Sequence, residues 1–115
     1  MKLPSNTIRK EILNLAIEDI SGLYEIIWSL NSLFPHISLK EKIENSKPIL
    51  KSFVDCGLIE LYKRKWAQIG EEKIPMDEYK TIIENDKNWE FDDEGIYYCF
   101  FKANEKIYNE LNRLS

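Results

Sequence analysis

Histidine, cysteine and glycine are scarce in this chain, and each shortage argues against a class of function. There are one histidine, two cysteines and four glycines among 115 residues. Cys56 and Cys99 lie far apart and no histidine lies near either of them, so no metal-ligand spacing is present. The glycines form neither a phosphate-binding loop nor a nucleophile elbow. We therefore expect no metal, no cofactor and no enzymatic activity, unless folding brings two carboxylates together.

The cysteines and the histidine are expected to have no catalytic or metal-binding role. Cys56 and Cys99 each lie in an apolar neighbourhood, which predicts two buried thiols. His36 lies between Pro35 and Ile37 with no cysteine close by that it could activate, which predicts a surface side chain.

Long apolar runs are also missing. No stretch approaches the roughly 18 apolar residues that a membrane-spanning helix needs. The N-terminus lacks the apolar run of a signal peptide, because proline and polar residues interrupt it: Lys2, Pro4, Asn6, Arg9, Lys10 and Glu11. The sequence predicts a cytoplasmic protein without membrane contact.

What is present is typical of a single globular domain. Apolar residues make up 43% and charged residues 31% of the chain, and a domain of this size can bury a hydrophobic core without disulfides or metal. We expect one domain over residues 1–115. The net charge of -4 argues against a surface built entirely for nucleic acid.

Apolar spacing predicts two amphipathic helices in the first third of the chain. The first covers Ser5–Glu18, with Ser5 as its N-cap. The second begins at Leu23 and ends before Pro35. Its dense apolar stripe makes it the expected core helix, and Trp28 and Phe34 are expected to be structural.

A third helical stretch begins at a capping box formed by Ser38 and Glu41, and it ends at Gly57 in the C′ position. Pro48 lies inside this stretch, where it removes a backbone donor. The stretch is therefore either one kinked helix or two helices, Leu39–Asn45 and Lys47–Cys56.

The second half of the chain predicts two strands with a helix between them. Leu58–Trp66 is expected to pair with Ile96–Phe101, the most β-prone and well-buried segment. A short helix is predicted over Asp77–Asn85. A final helix has Asn104 as its N-cap and presents one apolar face: Ile107, Leu111 and Leu114. The fold class is α+β, mainly helical, in the order α-α-α-β-α-β-α.

This order, together with the segment ILKSFVDCGLIELYKRK over Ile49–Lys65, resembles the winged-helix superfamily, in which an apolar recognition helix ends in Gly-Leu-Ile before a basic strand. The resemblance covers roughly Leu23–Arg64 and implies a winged-helix scaffold. Two departures argue against insertion into a DNA groove: Pro48 falls where the reading helix would begin, and a helix is inserted in the wing hairpin.

Charge is distributed unevenly along the chain. Residues 1–38 carry a net charge of -1, residues 39–66 carry +3 and residues 67–115 carry -6. The basic middle of the chain therefore favours a negatively charged partner, and the acidic C-terminal part favours a positively charged partner.

Six of the chain's 20 acidic side chains lie between Glu84 and Glu94, which we call the acidic segment. We expect it to be either a solvated loop or an interface for a basic protein, with Trp89 or Phe91 as the aromatic anchor. It does not fit a calcium loop, because Phe91 occupies the position that needs glycine. The candidate partner-binding residues are Glu84, Asp86, Trp89, Glu90, Phe91, Asp92, Asp93 and Glu94.

The middle of the chain offers a competing surface. Its candidate nucleic-acid-binding residues are Lys47, Lys51, Lys63, Arg64 and Lys65. A net charge of +3 supplies few phosphate contacts, so we expect no tight binding to duplex DNA. Tyr62 and Trp66, with Trp89 and Phe91, are expected either to be partly exposed as a binding surface or to be buried against the inserted helix.

A short acidic domain without a catalytic motif is similar to the immunity proteins of bacterial contact-dependent growth inhibition and related polymorphic toxin systems. That resemblance implies a non-catalytic protein that binds and neutralises a cognate basic toxin. The alternative is a DNA-binding winged-helix transcriptional regulator.

Overall fold

The computed structural model describes residues 2–65, 70–91 and 95–114. Within them the chain is α+β and mainly helical, as predicted. The α-helices are α1 Ser5–Glu18, α2 Leu23–Leu33, α3 Leu39–Asp55, α4 Tyr79–Glu84 and α5 Lys106–Leu114. The strands are β1 Ser21–Gly22, β2 Ile59–Lys65, β3 Glu72–Lys73 and β4 Ile96–Lys102, and 3-10 turns cover Met76–Glu78 and Asp86–Trp89. Four residues considered in the sequence lie outside the described residues: Trp66, Asp92, Asp93 and Glu94.

Helix α1 has the predicted bounds but a different cap. Its buried stripe contains Ile8 and Ile12, which are fully buried. The N-cap is Pro4, whose carbonyl accepts the first helical hydrogen bond from the Ile8 N–H at 3.3 Å. The prediction that Ser5 is the N-cap is therefore wrong, since Ser5 is already the first helical residue. Among the described helices, none combines the length and apolar character needed to cross a bilayer.

Helix α2 forms the expected core helix over most of its length. It buries Leu23, Ile26, Ile27 and Leu30. The predicted stripe fails at its end, where Leu33 is 46% exposed. Leu33 is the last residue of the helix, and Phe34, which follows it, is partly buried and packs against the core.

Helix α3 is continuous, so the predicted alternative of two separate helices is wrong. Pro48 lies inside it, although it has no N–H to donate to the Glu44 carbonyl. At the start, Ser38 Oγ accepts a hydrogen bond from the Glu41 N–H at 3.2 Å, as the predicted cap requires.

The end of α3 matches the prediction at Gly57. Gly57 has a φ of +80°, a left-handed conformation that glycine adopts without steric cost. Its N–H donates to the Val54 carbonyl at 3.2 Å, and the Leu58 N–H donates to the Phe53 carbonyl at 3.0 Å. These two bonds form a Schellman motif, which turns the chain directly into β2.

The predicted strand pair is confirmed. Strands β2 and β4 pair antiparallel over seven residues each, from Ile59 opposite Lys102 to Lys65 opposite Ile96. Helix α4 is inserted between them, also as predicted. The sheet order is β1-β4-β2-β3, and β1 and β3 contain two residues each. Such short strands carry no readable periodicity, so the sequence did not predict them.

The two faces of the sheet differ. Ile59, Leu61 and Phe100 point into the core, where each is at most 1% exposed. Because side chains alternate along a strand, the neighbouring residues share the opposite face, which we call the outer sheet face: Glu60, Tyr62, Arg64, Tyr97, Cys99 and Phe101. Ile96 is 47% exposed, so the expectation that the whole Ile96–Phe101 segment is well buried is wrong.

The C-terminal helix packs as predicted. Asn104 Oδ1 accepts a hydrogen bond from the Lys106 N–H at 2.8 Å and caps the start of α5. Ile107 is fully buried, and Leu111 and Leu114 pack against the core.

Candidate functional site

Four aromatic side chains form an exposed cluster, which we call the aromatic surface: Tyr24, Trp28, Phe91 and Tyr97. The ring centre of Tyr24 lies 4.8 Å from that of Trp28, 5.1 Å from that of Phe91 and 5.7 Å from that of Tyr97. Trp28 is 52% exposed and Phe91 is 43% exposed. Large aromatic side chains are normally buried, so a contiguous group at the surface marks a candidate binding site.

The aromatic surface is built from three parts of the chain. Tyr24 and Trp28 are four residues apart on α2 and therefore lie on one flank of that helix. Tyr97 reaches the cluster from the outer sheet face. Phe91 follows the 3-10 turn at the end of the inserted segment. The site thus depends on the packing of α2 beside β4.

Gly22 makes room for the Tyr24 ring. It pairs with Cys99, so a side chain at position 22 would share the outer sheet face. A Cβ atom placed there would lie 2.2 Å from Tyr24 Cε1. The Gly22 N–H also donates to Glu25 Oε2 at 2.6 Å, which fixes the first turn of α2. Glycine at this position therefore allows Tyr24 to cover the sheet.

A groove of about 230 Å³ runs between α2 and the acidic segment. The rings of Trp28 and Phe91 form two of its sides, with centres 5.5 Å apart. Leu39 and Asn31 extend the groove along α2 and α3, and Glu90 supplies a carboxylate. The groove is therefore largely aromatic and carries negative charge at one side.

The tyrosines of the aromatic surface stay neutral at physiological pH. Burial raises the pKa of Tyr24 to about 12, and the nearby Glu25 carboxylate raises it further. Burial also raises the pKa of Tyr97, although the adjacent Arg64 guanidinium acts in the opposite direction. The aromatic surface consequently presents uncharged rings.

The three tryptophans do not take the predicted places. Trp89, a predicted anchor, is fully buried, and its Nε1 donates to the Ile83 carbonyl at 2.9 Å. Trp28, predicted to be structural, is at the surface, while Trp66 is not described. The buried position removes Trp89 from the candidate interface and leaves Phe91 as its aromatic anchor. The spacing of Tyr24 and Trp28, beside the core stripe rather than on it, was the signal that could have identified Trp28.

The start of the acidic segment contacts Lys47 of α3. Three of its acidic residues are exposed: Glu84, Asp86 and Glu90. Asp86 nevertheless forms an ion pair with Lys47 Nζ, which also donates to the Glu84 carbonyl at 2.9 Å. One predicted partner-binding residue and one predicted nucleic-acid-binding residue are therefore paired with each other.

The other basic residues are not gathered on one surface. Lys63 and Arg64 are consecutive in β2 and point to opposite faces of the sheet. Lys65 is exposed at the end of the strand, and Lys51 is partly buried on α3. The structure thus brings Glu90 and Phe91 together with the aromatic side chains of α2, but it separates the candidate phosphate contacts.

The two cysteines differ in exposure. Cys99 is fully buried, as predicted, and burial raises the pKa of its thiol to about 12. Cys56 is exposed, so the prediction that it is buried is wrong. It is the C-cap of α3, where the chain leaves the helix at the protein surface. His36 is exposed, as predicted.

This difference predicts selective thiol chemistry. In the folded protein, we expect Cys56 to react with an aromatic disulfide reagent at least about 100-fold faster than Cys99, because Cys99 needs structural opening and forms little thiolate. The release of thiolate dye, followed with time, checks this. A Cys56→Ser variant should lose the fast phase, and the slow phase should become fast in denaturant. Equal rates for both thiols in the folded protein would contradict it.

Other clefts offer less to a specific ligand. A cleft of about 430 Å³ between β2, β3 and α4 is lined by charges of both signs, including Lys63, Lys73 and Asp77. Within the described ranges, no three histidine, cysteine or acidic side chains come together as a metal site. No family model matches the chain, and no curated protein or solved structure matches it either. The aromatic surface is therefore the feature of the described residues that points most directly to a function.

Proposed function

We propose that this chain is a non-catalytic, cytoplasmic binding protein, and specifically an immunity protein that binds and neutralises a basic toxin. The aromatic surface carries the proposal. Trp28 and Phe91 are about half exposed and in ring contact with each other and with Tyr24. Tryptophan and tyrosine are enriched among the residues that dominate protein interfaces, because they supply a large contact area.

Charge favours a basic partner. Glu90 lines the groove of the aromatic surface, and residues 67–115 carry a net charge of -6. Negative charge around an aromatic centre accelerates encounter with a positive partner, while the rings supply desolvated contact area. This combination suits a toxin domain that acts on nucleic acid and is therefore basic.

The helix and strand order also supports a modified winged-helix scaffold as part of this proposal. Helices α1 to α3 precede the β2 and β4 pair, and α4 is inserted in the wing. In an immunity protein, this scaffold would hold α2 beside Glu90 and Phe91, so that both parts of the chain contribute to one partner surface.

A DNA-binding winged-helix regulator is the second candidate, and the basic residues near the end of β2 favour it. Two observations weigh against it. Lys47 is paired with Asp86, and the exposed side of α3 carries Glu44 and Asp55 as well as lysines. Acidic side chains on a reading helix repel phosphates, so we expect weak binding to duplex DNA at physiological salt.

The test uses the product of the gene next to the one that encodes this chain, which we expect to be the toxin, expressed together with this chain in a bacterial host. We expect the wild-type chain to restore growth and to bind the purified toxin. A Trp28→Ala, Phe91→Ala double variant should lose at least about 100-fold in affinity and lose protection, because each ring is expected to be a dominant contact. Met76→Ala is the matched control, since Met76 is 68% exposed but lies outside the aromatic surface.

Two results would overturn the proposal. The first is unchanged affinity and protection in the double variant when circular dichroism shows it to be folded. The second is sub-micromolar, sequence-dependent DNA binding that is lost when Lys63, Arg64 and Lys65 are changed to alanine. The second result would put the regulator in first place.

A further inference from the structure

We infer that the groove between α2 and the acidic segment receives a single cationic side chain, an arginine or a lysine, from the basic partner. This inference rests on the proposed function and narrows it from a surface to a site. It predicts that the partner places a charged residue against the exposed faces of the aromatic rings, in addition to making apolar contact across the surface.

The relative orientation of the three rings favours a cation in the groove. The planes of Trp28 and Phe91 are inclined at 45°, with their centres 5.5 Å apart. Tyr24 meets both rings edge-on, at 4.8 and 5.1 Å. Mutually inclined rings form the walls of a groove instead of closing into a flat stack. The exposed ring faces carry the negative part of the aromatic quadrupole, which attracts a cation within about 6 Å.

The charge of the lining residues also favours a cation. Glu90 is the acidic residue among the described residues that line the groove, and no lysine or arginine is found among them. The ammonium of Lys42 is directed to Asn31 Oδ1 at 2.7 Å and does not line the groove. A cation in the groove would thus have aromatic faces and a carboxylate as neighbours, and a neutral or anionic side chain would gain less from the same surroundings.

Apolar side chains line the groove as well. Trp89 and Ile27 lie beneath the groove, and both are at most 3% exposed, while Leu39 at its edge is 45% exposed. Arginine and lysine combine an apolar stem with a charged end. We expect the stem to lie against the exposed Leu39 and the charged end to approach Glu90 and the rings.

The experiment uses two short capped peptides, acetyl-Gly-Arg-Gly-amide and its citrulline counterpart, which has nearly the same shape but no charge. The readout is the indole N–H signal of Trp28 in ¹⁵N-labelled full-length protein, assigned by its loss in Trp28→Phe. The indole N–H of Trp89 is an internal reference, because it is buried and bonded to the Ile83 carbonyl.

We expect the arginine peptide to shift the Trp28 signal saturably at millimolar concentration, and the citrulline peptide to shift it at least about threefold less strongly at equal concentration. Glu90→Gln and Phe91→Leu should each weaken arginine binding at least about threefold. Glu78→Gln is the matched control, since it removes the same charge from an exposed residue that lines a different cleft, and it should leave binding unchanged.

Equal shifts with both peptides, no shift with either, or the same effect from Glu90→Gln and Glu78→Gln would overturn the inference. Its failure is distinguishable from failure of the proposed function. If the arginine peptide fails but the Trp28→Ala, Phe91→Ala variant still loses protection against the toxin, the partner uses the aromatic surface without a cation in the groove. If the peptide binds but protection is unaffected, the groove is a cation site and the proposed function is wrong.

Discussion

Replacement of Trp89 by alanine is expected to lower the free energy of unfolding by about 3–5 kcal/mol, the usual range for a large aromatic side chain removed from a core. Trp89 is fully buried, and its indole donates a hydrogen bond to the Ile83 carbonyl. The variant would lose the packing of the ring and leave that carbonyl without its donor. Since domains of this size are stable by only about 5–15 kcal/mol, much of the total would be lost.

Urea unfolding followed by far-ultraviolet circular dichroism measures this effect. Trp28→Ala is the matched control, because it removes the same side chain from a position that is 52% exposed. It should cost less than about 1 kcal/mol, and Trp89→Phe should fall between the two. Similar losses for Trp28→Ala and Trp89→Ala would show that the assignment of one tryptophan to the core and the other to the surface is wrong.

Replacement of Pro48 by alanine is expected to raise the free energy of unfolding by about 1–3 kcal/mol. Proline in a helix interior costs about 3 kcal/mol relative to alanine, because it removes a hydrogen bond and crowds the preceding turn. Alanine also gives the unfolded chain more freedom, which offsets about 0.4–1 kcal/mol of the gain. Pro48 is exposed, so little packing is lost.

The same unfolding measurement tests Pro48→Ala, with Ser52→Ala as its control on the exposed side of the same helix. Ser52→Ala should change stability by no more than about 0.5 kcal/mol. A Pro48→Ala variant that is no more stable than Ser52→Ala would contradict this prediction.

Local signals explain which parts of the fold could be read from the sequence. Apolar periodicity located α1 and α2, and Gly57 marked the end of α3 because a left-handed residue is needed there. Pro48 misled the prediction, since the continuation of α3 depends on the burial of Ile49, Leu50 and other residues after it, and tertiary packing outweighs local propensity.

The candidate site was less predictable because it depends on contacts between distant residues. Phe91 was named as an anchor from its position beside acidic residues. Its contact with Trp28 joins segments that no local pattern relates. The pairing of Lys47 with Asp86 spans 39 residues, so charge counting along the chain placed these residues on two competing surfaces when they in fact meet.

The position of β4 in the sheet has a consequence for how the chain folds during synthesis. This strand lies between β1 and β2, and it pairs Gly22 with Cys99 and Leu61 with Phe100. On the ribosome, α1 to α3 can form early from contacts close in sequence, but β1 and β2 must wait for residues 96–102 to emerge. Until then, Leu61 and its neighbours remain uncovered, and the nascent chain is open to association with other unfinished chains.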